Sequence, residues 1–262
     1  MKMMIKLVFM TMLVVMTSCR INMGNGMHDT TPTQVEQINQ TTTMQQFDVV
    51  DVAGSFKVVY EQGEEYSVRI EASEQAFKEM TVYVKDNELR IRQSVSKPTV
   101  SFADVKVYVT SSDIKRIELA GSGLFAASNP INAGKDLDVE IAGSGKVLLA
   151  AVKCQDSGLE IAGSGNIEIG NLMAKDVKTS IAGSGNIMLD VITCQDFNTD
   201  IAGSGDVNCD NINADNVKVE IAGSGDVNLK GTVKNLTKDI AGSGKVNMTE
   251  LNSPPKKIDY NR

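Results

Sequence analysis

The chain has no tryptophan and only one histidine, His28, in 262 residues. A lone histidine argues against catalysis by a histidine base, and the lack of tryptophan argues against a platform for sugar stacking. The four cysteines show no C-x₂-C spacing, so a zinc site is not predicted. We therefore expect no catalytic residues, no metal ion and no cofactor.

The chain also has fewer basic than acidic residues. The chain has 26 Lys and Arg against 33 Asp and Glu, a formal net charge of −7. An acidic surface argues against nucleic acid as a partner and against electrostatic docking on anionic lipid. No apolar run is long enough for a permanent membrane span, because the longest one, residues 7–16, falls short of about 20 residues.

One tetrapeptide, Ala-Gly-Ser-Gly, occurs seven times. The copies begin at Ala120, Ala142, Ala162, Ala182, Ala202, Ala222 and Ala241, at intervals of 22, 20, 20, 20, 20 and 19 residues. A fixed period of this length indicates a supersecondary unit that stacks on its neighbours, because one copy cannot bury its apolar face alone.

The positions around each tetrapeptide follow the period of a strand. With its Ala numbered zero, positions −1, +5 and +7 are apolar in each copy, as in Ile161, Ile167 and Ile169. Asn166 and Glu168 alternate with them, as in a β-strand. The pattern predicts an all-β fold, a right-handed parallel β-helix with about 20 residues per coil and coils about 4.8 Å apart.

The two glycines of each tetrapeptide fit a corner of the coil that needs positive φ or a close backbone approach. A leucine-rich or helical repeat is the rival at this period, but the asparagine-centred leucine pattern and a 3.6-residue period are both missing. A phosphate-binding loop needs a helix after the glycines, and here a strand pattern follows.

The cysteines of the repeats are expected to be free and buried. Cys154 and Cys194 share position +12 two coils apart, which places them about 9.6 Å from each other. A disulfide needs Cα atoms within about 7 Å. Cys209 stands at the apolar position +7 among leucines, as a small aliphatic substitute.

Position −2 is acidic in six of the seven copies. We call these residues the acidic row: Glu118, Glu140, Glu160, Asp200, Glu220 and Asp239, with Ser180 between the third and fourth. Stacked carboxylates repel by about 1 kcal/mol in water. The row is either a solvated face that discourages lateral association or a linear strip for cations or a basic partner.

Asp206 and Asp226 at position +4, with asparagines at +6, offer oxygen atoms for calcium. The nine-residue calcium β-roll motif is absent, however.

The N-terminus has the form of a secretory signal, with Lys2 and Lys6 before the apolar run. The run ends in Met-Thr-Ser-Cys19, which resembles the lipobox of bacterial lipoproteins, although methionine stands where leucine is usual. The resemblance implies cleavage before Cys19 and acylation of that residue, which anchors the chain in a membrane. Cleavage removes Lys2 and Lys6 and changes the net charge to −9. An ordinary signal peptide with a chance cysteine is the alternative.

The remaining composition divides the chain into segments. Residues rich in Asn, Gly, Thr and Gln follow Cys19 and predict a flexible tether. Residues 47–115 show strands without a tight period, including a degenerate copy at Ala53-Gly54-Ser55. We therefore predict a lipoprotein signal peptide (1–18), a flexible tether (19–45), an N-terminal β-strand cap with the first coils (46–115), the β-helix repeats (116–251) and a C-terminal tail (252–262).

The lipoprotein start, the cap and the repeated Ile-Ala-Gly-Ser-Gly resemble the putative auto-transporter adhesin family with the head GIN domain. The resemblance covers about residues 47–250. It implies a β-helix body and a cell-envelope location, and it offers no catalytic positions to carry over. Similarity to Gram-negative lipoproteins implies the outer membrane, because Arg20 is not the aspartate associated with inner-membrane retention; the protein then faces the periplasm or the exterior.

Two functions agree with these features. The first is a non-enzymatic envelope lipoprotein, an adhesin that presents a β-helical surface to a protein or glycan. The second is a carbohydrate-active enzyme of the polysaccharide-lyase type acting on acidic glycans. The coils from 142 to 241 differ by at most one residue, which leaves no inserted loop to enclose a substrate, and fold alone grants no activity. The residues indicate neither the ligand nor the oligomeric state.

Overall fold

The computed structural model describes residues 37–94, 100–253 and 257–260. The predicted signal peptide, the acylation site Cys19 and most of the predicted tether lie outside these residues. One short helix, α1 (Glu74–Lys78), accompanies the strands. The strands are β1 (Gln37–Thr43), β2 (Val49–Gly54), β3 (Lys57–Gln62), β4 (Ser67–Ser73), β5 (Met80–Lys85), β6 (Glu88–Gln93), β7 (Lys106–Ser111), β8 (Arg116–Gly121), β9 (Leu124–Ala127), β10 (Ile131–Asn132), β11 (Asp136–Gly143), β12 (Lys146–Lys153), β13 (Asp156–Gly163), β14 (Asn166–Met173), β15 (Asp176–Gly183), β16 (Asn186–Gly203), β17 (Asp206–Gly223), β18 (Asp226–Gly242), β19 (Lys245–Ser253) and β20 (Lys257–Tyr260).

Strands one repeat apart pair in parallel and in register. Gly163 of β13 lies opposite Gly183 of β15, which in turn lies opposite Gly203 of β16. Equal positions of successive copies therefore stack through about seven turns, which confirms the parallel β-helix with coils of about 20 residues. Its handedness stays a prediction. Within the described part of the chain, no helix is long and apolar enough to cross a bilayer.

The apolar positions of the coils form columns inside the β-helix. Ile161, Ile181 and Ile201 expose only 2%, 1% and 2% of their surface. Columns at +5 and +7 are buried as well, and include Val147, Ile167, Ile187, Val207, Val227, Leu149, Ile169, Leu189, Cys209 and Leu229. Full burial of a side chain of this size contributes about 1.5–3 kcal/mol, so these columns are the main favourable term holding the coils together.

The two glycines of each corner serve different purposes. Gly183 has φ +137°, and a Cβ there would overlap the carbonyl oxygen of Gly163 in the preceding coil. Gly185 does not need positive φ, but a Cβ would lie 2.5 Å from the carbonyl oxygen of Gly165. Between them the Ser184 N–H donates to the Gly163 carbonyl oxygen at 2.9 Å. The predicted corner is therefore observed, with one glycine for conformation and one for close approach.

The N-terminal region builds the first coil differently. β2 pairs in parallel with β8, and Ala53 and Gly54 lie opposite Ala120 and Gly121, as the degenerate copy predicts. The pairs β1–β4, β4–β7 and β5–β6 are antiparallel and form the β-rich cap. Buried aromatic rings fill this end, with Tyr60 stacked on Phe125 at 6.0 Å between ring centroids.

Three elements lie where none was predicted. β1 occupies the last part of the predicted tether, because its main chain pairs with all seven residues of β4 although six of its own seven residues are polar. β20 lies in the predicted tail and pairs with β18. α1 has only five residues; it begins after Ser73, whose hydroxyl accepts a hydrogen bond from the Ala76 N–H at 3.2 Å.

The C-terminal end of the stack differs from its interior. Lys238 lies opposite Val219, which is fully buried, so a lysine takes the place of an apolar residue in the last turn. Ile240 and Val246 continue the apolar columns but are only partly buried. A charge in this column discourages a further coil, and β20 already pairs at this position, with Tyr260 opposite Lys238.

Candidate binding face

The acidic row forms a continuous line along one outer face. Glu118 lies opposite Glu140, and Glu140 opposite Glu160; Ser180 then lies opposite Asp200, which lies opposite Glu220. Asp239 ends the row opposite Glu220. The structure thus aligns all six predicted residues along one face, with neighbours one strand spacing apart except Glu160 and Asp200, which Ser180 separates. Their binding role stays a prediction.

A seventh carboxylate extends the row at its N-terminal end. Asp51 of β2 lies opposite Glu118, and both of its oxygens accept hydrogen bonds from the guanidinium of Arg92. The degenerate copy contained the signal for this residue, because Asp51 stands two positions before Ala53. Only 8% of Asp51 is exposed, so the row begins with a buried carboxylate that is neutralised by the partly exposed Arg92.

A shallow groove of about 250 Å³ runs beside the first half of the row. Its floor is a line of exposed alanines from the tetrapeptides, since the small methyl groups leave room above the main chain. Its acidic side ends where Ser180 interrupts the carboxylates. The lining residues are Asp51, Glu118, Leu119, Ala120, Glu140, Ile141, Ala142, Glu160, Ile161, Ala162, Ser180 and Ala182.

Arg116 partly neutralises the N-terminal part of the groove. Its guanidinium nitrogens lie 3.7 Å from Glu118, 3.4 Å from Asp138 and 3.6 Å from Glu140. Burial raises the pKa of Glu118, and the charges of Asp51 and Glu140 raise it further. Glu160 is exposed and has no salt bridge among the residues described. The negative potential of the groove is therefore least compensated around Glu160.

The second half of the row is organised around two lysines. Lys218 lies 2.7 Å from Glu220, and this hydrogen bond lowers the pKa of Glu220. The pKa of Asp200 shifts in the opposite direction. Burial is the largest cause that raises it, and Glu220 raises it further, whereas the charges of Lys178 and Lys218 lower it. Asp200 and Glu220 thus form a pair in which one carboxylate is stabilised at the other's expense.

The candidate calcium oxygens at +4 and +6 are engaged within the stack. The Asn228 amide donates to Asn208 at 2.7 Å, and the Asn247 amide donates to Asn228 at 2.6 Å. Asp206 accepts from the Asp226 N–H at 2.8 Å. In the described part of the chain, no group of three His, Cys, Asp or Glu side chains is arranged to hold a metal ion. These side chains link successive coils.

The three cysteines of the repeats are free thiols, as expected from their spacing. Cys194 and Cys209 are buried as predicted, whereas Cys154 is only half-buried, which differs from the prediction. Burial raises the pKa of the Cys154 thiol to about 11 and that of Cys194 to about 12. Because the thiolate is the reactive form, these thiols are inert near neutral pH.

Two kinds of comparison place this architecture among known proteins. The family model described as "Putative auto-transporter adhesin, head GIN domain" matches residues 46–209 and 177–261. No curated protein sequence matches the chain.

Solved structures share the fold at low sequence identity. A putative adhesin from Bacteroides fragilis has a TM-score of 0.72 and 23% identity, and the match covers 83% of this chain and 98% of that one. A putative lipid binding protein from Parabacteroides distasonis has a TM-score of 0.65 at 23% identity and the same coverage. A putative adhesin from Parabacteroides merdae has a TM-score of 0.66 at 21% identity, again with 83% and 98% covered.

Proposed function

The chain belongs to the family of putative auto-transporter adhesins with the head GIN domain, and from this premise we propose that it is a non-enzymatic binding lipoprotein of the cell envelope. Its binding face is the groove beside the acidic row. The partner is a protein or glycan that carries several positive charges along an extended segment.

The observation that carries this proposal is the combination of regular spacing and uncompensated charge. Carboxylates recur at one strand spacing along one face, with a single gap at Ser180, and the alanine floor lets a partner approach the main chain closely. Arg92 neutralises Asp51 at one end, whereas Glu160 lies in the groove without a salt bridge among the described residues. A row of like charges on a rigid support favours a ligand with complementary charges, because the support is already ordered before binding.

The lipobox-like Met-Thr-Ser-Cys19 supports the location. Acylation at Cys19 would hold the β-helix at the outer membrane through a polar tether, facing the periplasm or the exterior. Labelling cells with radioactive palmitate tests the anchor: the wild-type chain should incorporate label and Cys19→Ala should not. Protease shaving of intact cells then separates an external position from a periplasmic one.

The binding face is tested with oligolysine as a basic probe, by measuring dissociation constants for the purified chain and for Glu140→Gln/Glu160→Gln. An exposed ion pair contributes about 0.5–1 kcal/mol, so loss of two charges should weaken binding roughly 5- to 30-fold. The matched control is Asp190→Asn/Asp210→Asn, which removes two exposed carboxylates outside the acidic row.

Equal weakening by both double variants would show that oligolysine senses only net charge, and this would contradict a defined face. A lyase activity is the competing function. Unsaturated products released from pectin or alginate by the purified chain would contradict the non-enzymatic role.

A further inference from the structure

We propose that β1 is an association edge at which two copies of this chain pair antiparallel. Within the described part of the chain, β1 pairs with β4 along one side only. Its other side presents main-chain N–H and C=O groups away from the sheet. Such an edge is a template for one more strand.

The composition of β1 distinguishes it from the other edge strands that are longer than two residues. Its seven residues, Gln-Ile-Asn-Gln-Thr-Thr-Thr, include no charge, no proline and no glycine. The edge strand β5 carries Lys85, β19 carries Lys245 and Glu250, and β20 carries Lys257 and Asp259. Charged residues are a common protection of edge strands, and β1 lacks this protection.

The same composition selects a second copy as the occupant. In a symmetric antiparallel pair centred on β1, Gln40 lies opposite Gln40 of the other copy, and Asn39 lies opposite Thr41. Like charges that lie opposite each other are the usual obstacle to self-pairing, and this register opposes none. The nearest charged residues in β4, Arg69 and Glu71, form a salt bridge with each other and leave this surface neutral.

A pocket beside β1, with one wall of apolar side chains, gives the association a second contribution. The pocket has a volume of about 260 Å³ and opens between β1 and β5, which do not pair with each other. Phe77, Met80 and Val82 are only half-buried there. The remaining lining residues are Gln40, Thr42, Met44, Val68 and Ile70. A second β1 extends the sheet across the mouth of this pocket and shields its apolar wall from water.

Light scattering after size exclusion tests the proposal on the full chain with Cys19→Ser. A concentration-dependent dimer is expected, and Gln40→Lys should convert it to monomer, because two ammonium groups then lie opposite each other at the centre of the pair. Gln40→Thr should keep the dimer. Thr81→Lys, an exposed substitution of the same charge on β5, should also keep it.

Disulfide trapping tests the same pairing by forming a covalent bond between two copies, so its result does not depend on weakening the dimer. Opposed Cα atoms in an antiparallel pair lie about 4.5–5.5 Å apart, within the range of a disulfide. Gln40→Cys should therefore cross-link two copies under mild oxidation, whereas Thr81→Cys should not. A monomer at all concentrations, or a dimer that persists in Gln40→Lys and gives no cross-link at position 40, would overturn the proposal.

Discussion

The repeat coils and the N-terminal region stack strands in two different ways. In the coils the same small corner and the same aliphatic columns recur, and Phe197 is the one buried aromatic residue of residues 136–242. In the N-terminal region, Phe47, Phe56 and Tyr60 fill individual spaces, antiparallel strands join the stack, and Arg92 binds the buried Asp51. The coils obtain their stability from repetition, whereas the N-terminal region obtains it from side chains fitted one at a time.

This difference has an energetic meaning. In a stack each coil contacts only its neighbours, so equal positions in interior coils should tolerate the same change equally. A position at the end of the stack should be less sensitive, because it has one neighbour instead of two. In the N-terminal region each residue has its own environment, and no such rule applies.

The largest effect is expected at a corner of the coils. Gly183→Ala should lower the free energy of unfolding by about 3–6 kcal/mol, because it combines a backbone conformation that suits only glycine with overlap onto the Gly163 carbonyl. Urea denaturation followed by circular dichroism measures this. Gly134→Ala is the control, since no atom lies within 4 Å of a Cβ there. Similar losses in both variants would refute the role of the corner.

A core substitution compares an interior coil with the last one. Ile181→Ala should cost about 2–5 kcal/mol, because it empties space in a closely packed column. Ile240→Ala should cost clearly less, since Ile240 is only partly buried in the last turn. The same denaturation experiment applies to both. Equal costs would mean that the last turn is as well covered as the middle.

In the N-terminal region the acidic row is expected to be stabilising. Asp51→Asn removes the charged acceptor of the Arg92 guanidinium inside a half-buried site, and should destabilise the protein by about 1–3 kcal/mol. High salt should reduce the loss only in part, because the Asp51 carboxylate is buried while Arg92 is partly exposed. If the double variant Asp51→Asn/Arg92→Met recovered full stability, the stability lost in Asp51→Asn would be due to the uncompensated charge of Arg92.

In the coils the same row is expected to be slightly destabilising. Asp200→Asn should raise the free energy of unfolding at pH 7 by less than about 1 kcal/mol, since it relieves a carboxylate beside Glu220. The pKa of Asp200 is raised in the folded state, so its charged form costs stability as the pH rises through that pKa. Below the ordinary Asp pKa, about 3.8, the advantage of the variant should vanish. An advantage that stays constant from pH 3 to pH 7 would contradict this assignment.

The same contrast explains how much could be predicted from the sequence. The columns of Ile161, Ile181 and Ile201 and the alignment of the acidic row follow from spacing alone, because parallel stacking converts a sequence period into vertical contact. The presence of strands in residues 47–115, and the degenerate copy of the repeat at Ala53, were also predictable from the sequence. β1 was not, because main-chain pairing with β4 orders it despite the polar side chains that resemble a tether.

The parts of the acidic row that depend on three-dimensional contacts could not be foreseen. The pairing of Arg92 with Asp51 joins residues 41 positions apart, and no period relates them. The opposite pKa shifts of Asp200 and Glu220 depend on how Lys218 reaches its nearest carboxylate. Spacing gives the line of charges, but side-chain placement decides which of them are compensated.

The lysine at position 238 has a consequence for assembly. Each coil presents strand edges on which another coil can pair, so a stack of identical coils could grow without limit into a fibre. Lys238 interrupts the column that contains Val219, and β20 already occupies the next strand position, with Tyr260 opposite Lys238, so a further coil finds neither an apolar match nor an unpaired strand there. If copies join only through β1, as proposed above, the pair closes on itself, and we expect a dimer instead of a filament.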